Sequence, residues 1–230
     1  MSPMAHLSAK QPIGTLNTYN LNQGMTELVY YTDPLCCWSF AMQQQWISIT
    51  KNPFVRYRYC MGGLLPSWDQ YHDPVNAVSR PIQMGPVWMQ ATHLTGVDIK
   101  NTIWITDPPS SSYLACMAFK AAQFQDFKTS ENFLFQLQAA VMQQGLNIAK
   151  LDNVLAIARQ CGLDANRLHE SLHNDTALSA FREDLNEVTL KRIERFPSVL
   201  VRQAGLPLRL IAGYQANLEA LIFNQPVTHQ

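Results

Sequence analysis

The chain has 230 residues, 47% of them hydrophobic, and seventeen Lys or Arg balance seventeen Asp or Glu. That length and apolar content suffice for one globular domain, or for one domain carrying a large insertion. No basic run or stripe is present, so the composition points away from nucleic acid and from anionic membrane surfaces. Five cysteines at irregular spacing argue against a structural disulfide framework. Residues 1–25 are polar, include Pro12 and Gly14, and lack a signal-peptide h-region; no later segment has the apolar length of a membrane span. The expectation is a cytoplasmic protein with a loose tail over residues 1–25.

In chain order, residues 27–32 (Leu28, Val29, Tyr30, Tyr31) form a short apolar run rich in β-formers and read as a buried strand that stops at Asp33-Pro34. Residues 38–50, free of Gly and Pro, read as a helix, and residues 54–61 as a second strand ended by Gly62-Gly63. Strand, helix and strand in so few residues imply a right-handed βαβ unit with parallel strands. From Leu64 to about Arg192 the pattern is helical. Helices are expected from Pro86 to Gly96, over 113–127, over 131–144 with Ser130 as cap, over 151–160 with Gly162 following, over 164–173 and over 176–192. Residues 198–201 and 207–211 then flank a Gly-containing turn as a hairpin, and a last helix covers 216–223. The order describes a small α/β sheet interrupted by an all-helical insertion. Residues 26–63 and 194–230 build the sheet domain, and residues 64–193 build the insertion.

The segment Asp33-Pro34-Leu35-Cys36-Cys37-Trp38-Ser39 ends the first strand and opens the helix with a thiol at the junction. Unpaired N–H groups and the positive end of a helix dipole favour thiolate there, so a depressed pKa is expected for Cys36. The alternative is that Cys36 and Cys37 are small buried hydrophobes. Asp33 close by is either a turn former or a proton-transfer group. His6, His72, His93, His169, His173 and His229 show no zinc spacing among themselves. Trp38, Trp68, Trp88 and Trp104 with Met61, Met84 and Met89 either line a cleft beside the insertion or are plain core. Cys60, Cys116 and Cys161 lie in apolar patterns and read as inert.

Asp33-Pro34-Leu35-Cys36 with Trp38, Gly62-Gly63-Leu64, Trp104, Asp107-Pro108-Pro109-Ser110-Ser111-Ser112 and Phe196-Pro197-Ser198 together resemble the DsbA family of thioredoxin-fold proteins, in its cytoplasmic branch of predicted disulfide isomerases. The resemblance spans roughly residues 27–220. It implies a thioredoxin-like α/β fold with an α-helical insertion, a nucleophile at Cys36 and a cis proline at Pro197 facing it. A cis bond there would offer the Phe196 backbone to an extended peptide or to glutathione. Trp38 and Cys37 would join Phe196 and Pro197 in contacting substrate.

Ser39 stands where the second cysteine of a C-x-x-C pair would be, and a hydroxyl cannot resolve a mixed disulfide at neutral pH. An eight-membered ring closed by Cys37 is strained. The function expected is therefore thiol-disulfide exchange or isomerisation of monothiol type, with Cys36 as nucleophile, Ser39 as its hydrogen-bonding stabiliser and an outside thiol as resolver. Partners would be a thiol- or disulfide-containing protein or glutathione. No resident cofactor is required, glutathione acting as a co-substrate, and the oligomeric state is left open. Two alternatives stand beside this. One is a glutathione-dependent isomerase or transferase of the hydroxychromene-carboxylate isomerase or kappa-class type; the other is a non-catalytic thioredoxin-fold adaptor for proteolysis.

Overall fold

Strand β1, Thr26–Thr32, lies at the centre of the sheet, and its apolar run is continuous because both of its faces are covered. Leu28 and Tyr30 join one core cluster while Val29 and Tyr31 join another on the opposite face. The computed structural model describes residues 24–71, 73 and 77–224. The tail expected over residues 1–25 thus lies outside the described residues except for Gly24 and Met25, as do His6, His72 and His229. Helix α1, Cys37–Thr50, leads to β2, Val55–Met61, which pairs parallel to β1 from Thr26↔Val55 to Thr32↔Met61. Near the C-terminus, β3 (Ser198–Gln203) pairs antiparallel to β1, and β4 (Arg209–Ala212) pairs antiparallel to β3. The sheet order is β2-β1-β3-β4.

Between β2 and β3 run α2 (Met84–Thr95), α3 (Ile103–Thr106), α4 (Tyr113–Gln123), α5 (Phe127–Gln143), α6 (Leu151–Gln160), α7 (Ala165–His173) and α8 (Thr176–Leu190); α9 (Leu218–Phe223) closes the chain. Several boundaries differ from the sequence reading for identifiable reasons. The expected helix over 113–127 breaks after Gln123 because Asp126 caps α5, its Oδ1 accepting the Thr129 N–H at 2.7 Å. Ser130, expected as that cap, instead sits in the first turn and donates to the Phe127 carbonyl at 2.7 Å. A 3-10 turn at Pro81–Gln83 feeds α2, which starts two residues before Pro86. The short α3 had no periodic signal. Asn217 caps α9 through the Ala220 N–H, so that helix begins at Leu218. Gly96 and Gly162 follow their helices in left-handed conformation, as expected.

Two charged contacts fix α8 to the sheet. The Asp184 carboxylate accepts the Met61 N–H at 2.8 Å and meets Lys120 Nζ at 2.9 Å. Glu187 accepts both Arg58 and the Tyr31 hydroxyl, at 2.6 and 2.7 Å. Beneath the sheet, Tyr30 stacks on Trp46 at 4.2 Å, and the indole N–H donates to Tyr59, whose hydroxyl donates to Glu131. Leu35, Cys37 and Phe40 carry the thiol turn and α1 into the core of the helical block, which brings that block alongside the α1 N-terminus.

Candidate functional site

The turn after β1 is held by its own aspartate. Leu35 N–H donates to Asp33 Oδ1 at 2.8 Å and Cys36 N–H to the Asp33 carbonyl at 3.0 Å, which ends the strand and presents Cys36 as the N-cap of α1. In that position the Cys36 Sγ accepts the Ser39 N–H at 3.4 Å, one of the amides a helix start leaves unpaired. The same thiol donates to the Phe196 carbonyl at 3.3 Å. The Phe196–Pro197 peptide is cis, and the Pro197 carbonyl accepts the Gly213 N–H at 2.8 Å. The structure thus brings Cys36, Ser39, Phe196 and Pro197 together across 160 residues of chain.

Electrostatics at the thiol run against the sequence expectation. Cys36 is only 4% exposed, and burial pushes its thiol up to about 11. The hydroxyl and N–H of Ser39 pull it back, while the Asp33 charge raises it further. The helix start therefore tempers a desolvation penalty that outweighs it. Ser39 Oγ is itself buried and makes no hydrogen bond of good geometry, so the well-formed bond to the sulfur comes from the Ser39 amide while the nearby hydroxyl acts on it more loosely. Cys37 is buried among the helical block, its thiol held well above the usual range by desolvation, although it also borders the cleft.

A cleft of about 1080 Å³ opens over Cys36 between the sheet and the helical block. Trp38 and Tyr214, with ring centres 5.8 Å apart, form part of one wall, and Met84, Val87 and Leu94 of α2 form part of another. Of the seven Trp and Met candidates, Trp38 and Met84 border the cleft; Trp88 and Trp104 pack edge to face at 5.0 Å inside the helical block. The Gly62-Gly63 turn floors the cleft. The Phe196 ring lies directly on Gly62, and Gly63 has φ +61 beneath Leu185 and Tyr113.

Asp33 turns out to be both a turn former and a fully buried carboxyl. Its Oδ2 accepts Leu64 N–H at 2.7 Å, Ser112 O–H at 2.9 Å and Cys116 S–H at 3.4 Å, which local sequence could not reveal because the donors lie 31, 79 and 83 residues away. All five cysteines are free. His169 and His173 sit on α7 with rings 4.0 Å apart, and no cluster of three metal-ligating residues occurs among the described residues. No helix of the described residues is long and apolar enough to cross a membrane.

A helix-capping thiol after the first strand, opposite an X-Pro strand start in a β2-β1-β3-β4 sheet, defines a thioredoxin-like fold. The family model described as Thioredoxin matches residues 30–205, and the chain belongs to that family. Among curated proteins, the ClpXP adapter protein SpxH of Halalkalibacterium halodurans is 26% identical over 174 residues, covering 75% of this chain and 57% of that protein. The chain therefore spans little more than half the length of that relative. Among solved structures, a putative protein disulfide isomerase from Nitrosomonas europaea superposes with TM-score 0.70 at 18% identity, covering 83% of this chain and 91% of that one. The cytosolic disulfide reductase DsbM from Pseudomonas aeruginosa, solved with GSH, gives TM-score 0.64 at 19% identity over 80% of this chain and 89% of that one. At such identities these structures speak to the fold, here a DsbA-like arrangement of sheet and helices.

Proposed function

We propose that this protein carries out monothiol exchange at Cys36 with a protein disulfide held in the cleft, and that an outside thiol such as glutathione completes the cycle. The observation that carries this reading is the Cys36 sulfur at the N-cap of α1, 3.3 Å from the Phe196 carbonyl, with Ser39 where a second thiol would stand. In the first step the Cys36 thiolate attacks one sulfur of a mixed disulfide, forming a new S–S bond as the client thiolate leaves. If the transferred half is glutathione, a second glutathione thiolate then attacks it, releasing oxidised glutathione and restoring the Cys36 thiolate. Ionisation of Cys36 leaves a sulfur that already accepts the Ser39 N–H, and the buried Ser39 hydroxyl is available to it for a second bond. Phe196 and Pro197 would line the path of an extended client, with Trp38 and Cys37 bordering it. No resident cofactor is needed, and a cytoplasmic setting would supply the reducing thiol. The solved neighbours, one described as a protein disulfide isomerase and one as a disulfide reductase with GSH, support the reading.

One observation favours a second reading. The thiol is pushed up to about 11, which leaves little thiolate at neutral pH, and the curated relatives are named ClpXP adapter proteins. Under that reading the cleft only binds a client destined for proteolysis. Incubation with a glutathionylated peptide, followed by mass spectrometry of the protein and assay of oxidised glutathione, separates the two. Exchange requires a Cys36–glutathione adduct and turnover that disappears in Cys36→Ala and persists in Cys37→Ala. Client capture that survives Cys36→Ala, with no adduct in the wild type, overturns exchange in favour of the adaptor.

A further inference from the structure

Asp33 is an unusual carboxyl to find beside a thiol that must ionise. Its side chain is fully buried, and it forms no ion pair among the described residues. Its four side-chain hydrogen bonds all come from donors: Leu35 N–H onto Oδ1, and Leu64 N–H, Ser112 O–H and Cys116 S–H onto Oδ2. The four donors favour its anion, but burial outweighs them and leaves the carboxyl raised above the usual carboxylate range. These donors belong to three separate pieces of the molecule: the thiol turn, the floor of the cleft and the first turn of α4.

We propose, on the reading that Cys36 is the reacting thiol, that Asp33 is its positioning residue: a buried anion that shapes the Cys36 turn and holds the sulfur in its thiol form. The geometry places the carboxyl inside the turn that carries the sulfur, since Leu35 N–H bonds to Asp33 Oδ1 while Cys36 N–H bonds to the Asp33 backbone carbonyl. In a poorly solvated site a negative charge that close opposes a second one. The titratable groups acting directly on Cys36 or acted on by it are Asp33, Tyr30 from β1, Cys37 from α1 and Tyr71 from the cleft wall, and the same cleft is lined by Asp73, Glu194, Tyr214 and the cation of Arg195. Those facing Asp33 from α4 are Cys116 and Tyr113, without a cation, and α5 contributes the neutral Gln138 amide to the Asp33 carbonyl at 3.4 Å.

Ser112 gives the anion a way to take up a proton without rearrangement of the chain. Its Oγ lies 2.9 Å from Asp33 Oδ2 and 3.5 Å from the Leu65 carbonyl, and it accepts the Leu65 N–H at 3.2 Å. When Asp33 gains a proton, it donates that proton to Ser112 Oγ, and the Ser112 hydroxyl turns to Leu65 O. Leu64, one residue earlier, both donates to Asp33 and borders the cleft, so an occupant pressing on the floor would disturb the same hydrogen bonds.

The test is the rate of Cys36 alkylation by iodoacetamide against pH, read at the Cys36 peptide by mass spectrometry, in wild type and Asp33→Asn. Removal of the anion should lower the midpoint by about one pH unit and raise the neutral-pH rate about tenfold, since one unit of pKa is a tenfold change in ionisation. Asp33→Ser also removes the charge and should move the curve the same way, and it decides the matter if Asp33→Asn does not fold. A midpoint that stays in place or rises, even with a lowered melting temperature, overturns the proposal and leaves Asp33 a structural turn former. Alkylation needs no exchange partner. A moved midpoint in a protein that forms no glutathione adduct would therefore sink the exchange reading while leaving this one standing.

Discussion

Gly62→Ala tests whether the floor of the cleft positions Phe196. Gly62 does not occupy the left-handed region, so alanine brings no backbone strain and the whole effect must be steric. A Cβ at this position would lie 2.3, 2.4 and 2.7 Å from Phe196 Cζ, Cε1 and Cε2. Carbon atoms pack at about 3.5–4.0 Å, so the ring has to withdraw by more than an ångström. Phe196 is half-buried and can swing, but its carbonyl accepts the Cys36 thiol and its neighbour Pro197 is buried, so the shift is paid in packing. Overpacking of this kind costs about 1–3 kcal/mol. For a chain of this length each kcal/mol lowers the melting temperature by roughly 2–4 °C. The assay is calorimetry of Gly62→Ala, Phe196→Ala and the double variant, alongside the alkylation rate of Cys36. Because the clash needs both side chains, the double variant should recover at least about 0.5 kcal/mol relative to the sum of the single effects. Strict additivity, or an unchanged melting temperature in Gly62→Ala, would refute the contact as the reason for glycine.

Two further outcomes follow from the charges that clamp α8. Lys120→Met strips the partner from a nearly buried Asp184 and should cost about 3 kcal/mol in denaturant unfolding, at the lower end for a broken buried pair because the Met61 N–H still donates. The loss should shrink in acid, as Asp184, already raised by burial, takes up a proton; a loss below about 1 kcal/mol at neutral pH would contradict the assignment. Glu187 is pushed up by burial, but Arg58 and Tyr31 outweigh this and hold its carboxyl below the usual glutamate range. A depressed folded-state pKa contributes stability that is complete above the unfolded value and lost as the pH falls through the folded one. Glu187→Gln should therefore narrow the gap to wild type below about pH 4, where the wild-type contribution has gone. A gap independent of pH from 7 to 3 would show that the pair does not act through charge.

The sequence by itself determined the elements whose cause is local. Pro34 after the apolar run of β1, Gly62-Gly63 after β2 and Gly205 in the hairpin stop strands through their own backbone preferences, so the βαβ unit and the terminal hairpin were legible. The thiol at the strand-to-helix junction was legible for the same reason, and so was the missing resolver at Ser39. The expectation that Pro197 faces Cys36 came from the family resemblance, since nothing in the local pattern of either segment encodes the contact that the adjoining Phe196 makes across 160 residues. Cap choice at α5 lay beyond local reading because Asp126 and Ser130 are both good capping residues, and the chain's break at 124–126 selects between them.

The tertiary structure alone decided the state of the site. A helix N-terminus favours a thiolate, but only packing shows how much water the sulfur loses, and at Cys36 the loss of water prevails. Only the fold brings Ser112 and Cys116 of the helical block onto Asp33, turning a two-residue strand stop into a buried carboxyl ringed by donors. Desolvation and long-range hydrogen bonding depend on what surrounds a residue, whereas propensity depends on the residue and its immediate neighbours. That difference is why the position of the thiol could be read from seven residues, and its ionisation could not.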